Sequence, residues 1–95
     1  MIAREDGRLV LAGRLTMSTV PKLYEAGLKH LAAEDLVVDL TRVEAVDSAA
    51  ISMLLGWTRA AQKNGRKLSV ANMPDDLVSL AHLYGVDEML PAAAV

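Results

Sequence analysis

The sequence predicts an α/β fold in which helices pack alongside a mixed, mostly parallel β-sheet. Apolar runs of strand length alternate with segments whose apolar residues recur at helical spacing, and the connections between them are short. Such alternation favours right-handed crossovers and parallel pairing. At 95 residues the chain has room for one domain, so we expect residues 1–95 to form it.

Four segments predict the strands. Residues 2–5 and 8–13 flank an Asp6-Gly7 turn and are expected to pair antiparallel. Residues 36–40 (Leu-Val-Val-Asp-Leu) are too short for a helix and mostly apolar, which predicts a strand buried on both faces at the centre of the sheet. Residues 67–71 alternate in polarity and predict a last strand.

The first helix is expected to follow Ser18, which can cap it, with Pro21 in its first turn. Its apolar stripe consists of Val20, Leu23, Tyr24, Leu28 and Leu31. Gly27 lies on or near this stripe. It either allows another element to approach closely or simply weakens the helix.

Two further helices are expected. The second runs from Asp47 or Ser48 to Asn64-Gly65, where the glycine can adopt the left-handed conformation that ends a helix. The third opens at Asn72 or Pro74 and ends at Gly85. Its apolar stripe is formed by Leu77, Leu80, Ala81 and Tyr84.

Composition excludes several classes of function. Hydrophobic residues make up 53% of the chain, so it is not a disordered tail. Cysteine is absent, which removes disulfides, thiol catalysis and thiolate metal sites. The net charge of −2 and the lack of a basic stripe argue against a nucleic-acid partner. No segment has the length and hydrophobicity for insertion into a membrane, so we expect a cytoplasmic protein.

The sequence carries no catalytic constellation. It has no glycine-rich phosphate loop, nucleophile elbow or His-Glu metal motif. Its two histidines, His30 and His82, fall on different predicted helices without a metal-spaced neighbour, and we expect both at the surface or at the rim of the core. The sequence therefore predicts a protein that is not an enzyme and holds neither metal nor cofactor.

The junction before the second helix is the main candidate site, since ligands of parallel sheets gather where strands end. Asp47 and Ser48 stand at this helix start, followed by Ala49 and Ala50. One interpretation is that Asp47 or Ser48 is an ordinary helix cap. The other is that Ser48 carries or binds a phosphoryl group, because unpaired N–H groups and the helix dipole favour an anion there.

The second helix has an apolar arc wider than one packing face requires. Its polar sector holds only Ser52, Arg59 and Lys63, together with Gly56. Either neighbouring helices cover the flanks, or part of the arc is an exposed patch that contains Met53 or Trp57 and docks on a partner protein.

The segments Val38 to Val43 and Val46 to Ile51 resemble the STAS family, named for sulfate transporters and anti-sigma factor antagonists. In that family a strand is followed by aspartate and then serine or threonine at the start of a helix, which matches Asp47 and Ser48. The order of elements agrees along essentially the whole chain, including the start at residues 11–15. Ala50 departs from the glycine common in the family, and Ala49 from serine or glycine.

The ending, residues 80–86 with Leu90-Pro91, is similar to the cytoplasmic STAS subunits of phospholipid-transporting ABC complexes. This resemblance implies a non-catalytic subunit that binds the ATPase of the complex and lies at the inner membrane only through it. It also implies a partner-binding role for residues of the second helix, among them Ile51, Leu54 and Trp57, and the exposed-patch interpretation adds Met53.

Two alternatives stay open at this stage. In an anti-sigma antagonist, a serine kinase would phosphorylate Ser48 and thereby abolish binding of an anti-sigma factor. An exposed apolar flank could also form a homodimer.

Overall fold

The computed structural model describes residues 2–90 and has the predicted mixed α/β architecture. The strands are β1 (Ile2–Glu5), β2 (Arg8–Leu15), β3 (Leu36–Val46) and β4 (Leu68–Ala71). The helices are α1 (Val20–Leu31), α2 (Ser48–Lys63) and α3 (Asp75–Leu83), followed by a short 3-10 helix at Asp87–Met89.

The sheet has the order β1-β2-β3-β4. β1 pairs antiparallel with β2 through the Asp6-Gly7 turn, while β2–β3 and β3–β4 are parallel. The mostly parallel sheet and the central position of β3 are therefore as predicted. The expected burial of β3 on both faces is wrong, because Val37 and Asp39 are only half-buried. Both crossovers move in the same direction across the sheet, so right-handed connections place α1 and α2 on one face.

The core lies between this face and the helices. Alternate strand residues (Leu9, Leu11, Leu36, Val38 and Leu40) join side chains of all three helices in one buried cluster. Burying leucine, valine and tryptophan side chains in one layer stabilises the fold by about 1.5–3 kcal/mol for each large side chain. The described residues leave no buried side-chain nitrogen or oxygen without a hydrogen-bond partner.

Three predicted boundaries are wrong. β2 extends to Leu15 instead of ending at residue 13. β3 extends to Val46, because shifts in its register with β2 let Thr41 to Val46 continue the pairing. The N–H of Thr41 bonds to Asp39 Oδ1 at 3.0 Å, which satisfies a backbone donor near the first shift. Ser18 does not cap α1. Thr19 occupies that position, and its hydroxyl donates to the Arg14 carbonyl at 2.6 Å.

Glycines let α1 and α2 approach closely. A Cβ atom on Gly27 of α1 would lie 2.3 Å from Cζ2 of Trp57, and one on Gly56 of α2 would lie 2.8 Å from Cε1 of Tyr24. Trp57 Nε1 also donates to the Tyr24 carbonyl at 3.0 Å. Of the two roles considered for Gly27, the structure therefore supports close approach.

Candidate functional site

The candidate site is built around Asp47, which caps α2 as one of the two interpretations predicted. Its Oδ1 accepts from the N–H of Ala49 at 2.8 Å, and its Oδ2 accepts from the N–H of Met17 at 3.0 Å. Its own N–H bonds to the carbonyl of Leu15 at 3.1 Å. Asp47 thus joins three elements: its carboxylate holds the loop after β2 and the start of α2, and its N–H bonds to the end of β2.

Ser48 is the first residue of α2 and is exposed. Ala49 beside it is half-buried, whereas Ala50 is fully buried in the core. The methyl group of Ala50 therefore points away from the surface that Ser48 presents. Any group that approaches the start of α2 meets Ser48 rather than Ala50.

Of the two interpretations of the apolar arc of α2, the structure supports cover by neighbouring elements and not an exposed patch that contains Met53 or Trp57. Trp57 is 0% exposed and Met53 is 1% exposed, and Ile51 and Leu54 are also buried. The physical reason is that the neighbouring elements cover both flanks of α2, with the Trp57 ring against Gly27 of α1. Met53, Leu54 and Trp57 are therefore inaccessible in the folded domain, whereas Ile51, which is 5% exposed, lines the groove beside Ser48. A partner-binding role for these residues stays a prediction. The sequence signal for this burial was Gly27, which lies where a large side chain from a second helix can enter.

The accessible side of α2 is a different stripe. Its members are spaced so that they lie on one helix face, namely Ser48, Ser52, Leu55, Arg59 and Gln62. Two adjoining grooves follow this stripe and share Leu55. The opposite wall comes from the end of the chain, with Tyr84 and Val86 beside the serines and Glu88 and Met89 beside Arg59.

Large apolar side chains are exposed around the start of α2. Met17, whose backbone is held by Asp47, is 76% exposed. Tyr84 is 53% exposed, although the sequence placed it on the buried stripe of the third helix. Tyr84 is the C-cap of α3 and keeps helical geometry, with its N–H bonded to the Leu80 carbonyl at 3.0 Å, but its side chain lines the groove beside Ser48 instead of entering the core. Met17, Ser48, Ser52, Leu55 and Tyr84 are called the docking surface below.

Titratable groups do not converge on the docking surface. Asp39 lies on β3, where hydrogen bonds from Thr41 and Asn72 and the charge of Arg8 lower its pKa from 3.8 to about 2. His82 contacts Asp87 at 3.2 Å and lowers the pKa of that carboxyl group. His82 is exposed, as predicted for the histidines, and His30 is half-buried. Among residues 2–90 no group of three histidine or acidic side chains could hold a metal ion.

The sequence model of the family described as "Mlab, STAS domain" matches residues 1–91. The chain belongs to this STAS-domain family. None of the helices described in residues 2–90 has both the length and the apolar character needed to cross a membrane.

Named relatives of this STAS-domain chain fall into two groups. The chain is 29% identical over 85 residues to the intermembrane phospholipid transport system binding protein MlaB of Escherichia coli K12, covering 87% of this chain and 86% of that protein. It is 24% identical over 82 residues to the anti-sigma-B factor antagonist of Staphylococcus aureus NCTC 8325, covering 84% of this chain and 76% of that protein.

Both groups are also represented among similar solved structures. A chain of the Acinetobacter MlaFEDB complex in its ATP-bound Vtrans2 conformation has a TM-score of 0.78 at 26% identity, with 93% of this chain and 95% of that chain covered. The unphosphorylated anti-sigma factor antagonist SpoIIAA has a TM-score of 0.76 at 14% identity, with 99% and 87% covered, and shows the fold alone. The STAS fold expected from the sequence is thereby confirmed.

Proposed function

We propose that the chain is a non-catalytic STAS subunit that binds the ATPase of a phospholipid-transporting ABC complex on the cytoplasmic side of the inner membrane. The observation that carries the proposal is the docking surface, which combines exposed apolar side chains with the accessible face of α2. Similarity to MlaB and to a chain of the MlaFEDB complex supports this choice of partner. The subunit would support assembly and activity of the transporter without catalysing a reaction.

The docking surface suits protein recognition. Tyrosine and methionine are enriched at protein interfaces, and here Tyr84 and Met17 flank two small serines. Leu55 lies half-buried in the middle and offers an apolar contact. A partner side chain can therefore reach the start of α2 without displacing the core. The buried residues Ile51, Met53, Leu54 and Trp57 would act by holding α2 in place.

Co-purification tests the proposal. The chain would be co-expressed with the ABC ATPase encoded beside it and isolated through a tag on the ATPase. We expect wild-type chain to co-purify and Ser48→Glu to be lost, because the added charge and bulk fall inside the surface. Ser79→Glu places the same change on exposed α3 outside the docking surface and is expected to co-purify normally.

Circular dichroism of both variants would establish that they are folded. Absence of wild-type binding, or equal binding by wild type and Ser48→Glu with all proteins folded, would contradict the proposal. A homodimer is the competing use of the same surface. Light scattering that shows a dimer disrupted by Tyr84→Ala would favour it over the ATPase.

A second candidate is a phosphorylation switch of the anti-sigma antagonist type, in which a serine kinase modifies Ser48 and releases an anti-sigma factor. Its support is the relationship to the Staphylococcus antagonist and the exposed position of Ser48. Incubation with a serine kinase encoded nearby and ATP should add one phosphate, located by mass spectrometry. A phosphate on another residue, or none, would exclude this mechanism.

A further inference from the structure

Met17 is the most exposed large hydrophobic residue between residues 2 and 90, with a relative exposure of 76%. It lies in the loop between β2 and α1. Its backbone N–H donates to Asp47 Oδ2 at 3.0 Å, and Oδ1 of the same carboxylate accepts from the N–H of Ala49. The loop therefore holds an accessible thioether next to the start of α2, within the docking surface.

The other methionines in the described part of the chain are less accessible. Met89 is 55% exposed, Met73 is half-buried, and Met53 is 1% exposed in the core. The sequence contains no cysteine, so an oxidant that attacks sulfur has only methionines to react with. Because the oxidant must touch the sulfur atom, exposure predicts that Met17 reacts before Met89 and that Met53 reacts last.

We propose that Met17 is a site of reversible oxidation and that its sulfoxide form weakens binding of the partner to the docking surface. The inference rests on the proposed function, because the partner is the same ATPase. A hydroperoxide transfers one oxygen atom to the sulfur. The S–O bond forms, the O–O bond breaks, and the rest of the peroxide leaves as water or an alcohol, so that sulfur loses two electrons and the peroxide gains them. A reductase that oxidises two thiols to a disulfide returns the thioether and releases water.

Oxidation changes what the docking surface offers to a partner. The reduced side chain is apolar and flexible, so it adapts to the surface that covers it. The sulfoxide oxygen is a hydrogen-bond acceptor that loses its water when a partner covers it, and burying such a group without a new donor is unfavourable. The fold should not change, because Asp47 holds the backbone N–H of Met17 and not its side chain. Oxidation therefore acts on docking and leaves the domain intact.

Mass spectrometry tests the first half of the proposal. The full chain would be treated with dilute hydrogen peroxide, quenched with catalase at intervals and digested with trypsin. Cleavage after Arg14 and Lys22 releases residues 15–22, a peptide in which Met17 is the sole methionine. We expect this peptide to gain one oxygen before Met89 does, and Met53 to stay reduced while the chain remains folded by circular dichroism.

Titration of the chain with the tagged ATPase tests the second half. Only the STAS chain is oxidised, and the peroxide is removed before mixing. We expect oxidation to weaken binding about tenfold or more, and a mixture of the two methionine sulfoxide reductases, one for each epimer, to restore it. Met17→Leu keeps the apolar surface and should bind normally before and after peroxide. Met89→Leu is the matched control outside the docking surface, and peroxide should weaken its binding as in wild type.

The variant Met17→Gln provides a readout without an oxidant, since it places an amide of similar length at the same point. It should bind the ATPase more weakly than Met17→Leu while both have wild-type stability in urea. The inference is overturned if reduced and oxidised chains bind equally, if peroxide weakens Met17→Leu as much as wild type, or if Met89 reacts before Met17. If the reduced wild-type chain does not bind the ATPase at all, the proposed function fails and the inference fails with it.

Discussion

Replacing Gly27 by alanine should destabilise the protein through the contact between α1 and α2. The new Cβ atom would lie 2.3 Å from Cζ2 and 2.4 Å from Cε2 of Trp57, whereas carbon atoms pack best at about 3.5–4.0 Å. The ring cannot turn aside freely, because it is completely buried and its Nε1 donates to the Tyr24 carbonyl. The helices must therefore separate by about 1 Å or strain the ring.

The expected magnitude follows from two opposing effects. Overpacking a core costs about 1–3 kcal/mol, and so close an approach places Gly27→Ala near the upper end. Alanine in place of glycine inside a helix recovers about 1 kcal/mol. We expect the free energy of unfolding to fall by about 2 kcal/mol. For a domain of this size the midpoint temperature would drop by about 8–16 °C.

Urea unfolding followed by circular dichroism measures this loss. Gly56→Ala is the matched control, because its Cβ would meet Cε1 of Tyr24 at 2.8 Å and that half-buried ring can move outward. The free energy of unfolding should therefore fall less in Gly56→Ala than in Gly27→Ala. A double-mutant cycle combines Gly27→Ala with Trp57→Phe, which removes the ring atoms that the new Cβ approaches. In the Trp57→Phe background, Gly27→Ala should therefore lower the free energy of unfolding by less than it does in wild type. The packing argument would be refuted if Gly27→Ala were as stable as wild type, or if the cycle showed no coupling between positions 27 and 57.

Three further predictions follow from side-chain bonds. Asp39 has a folded-state pKa of about 2, below its ordinary 3.8, so it stabilises the fold above pH 4 and loses this effect as the pH falls to 2. Between those pH values, urea titrations should show wild type losing about 2 kcal/mol more than Asp39→Asn, and parallel losses would contradict this. Asp47→Ala removes the α2 cap and should cost about 1 kcal/mol, with faster hydrogen exchange at the N–H groups of Met17 and Ala49; unchanged exchange there would argue against the cap. Trp57→Phe should cost about 1–3 kcal/mol and leave ATPase binding intact once folded, whereas selective loss of binding would place Trp57 at the interface after all.

Local patterns were sufficient for most of the fold. The Asp6-Gly7 turn, the apolar run from Leu36 to Leu40 and the alternation of elements each depend on neighbouring residues, and all three correspond to structure. The extension of β3 to Val46 was not predictable in this way. It requires shifts of register against β2, and pairing with a distant strand leaves little trace in a six-residue segment of mixed polarity.

The candidate site divides in the same manner. Asp47 and Ser48 were identified from their position after a strand, because helix starts have local chemical requirements. Tyr84 and Met17 were not identified from the sequence. Their exposure depends on where α3 ends and on which loop the Asp47 carboxylate holds.

By itself, the sequence determined the class of fold and the order of its elements, and it narrowed the cap of α2 to Asp47 or Ser48, since periodicity and capping act over a few residues. Only the tertiary structure decided which part of the apolar arc of α2 remains accessible. Gly27 and Gly56 bring α1 and α2 close enough to bury Trp57, and the end of α3 leaves Tyr84 beside Ser48. Burial depends on what covers a helix flank, and that cover comes from residues far away in the chain.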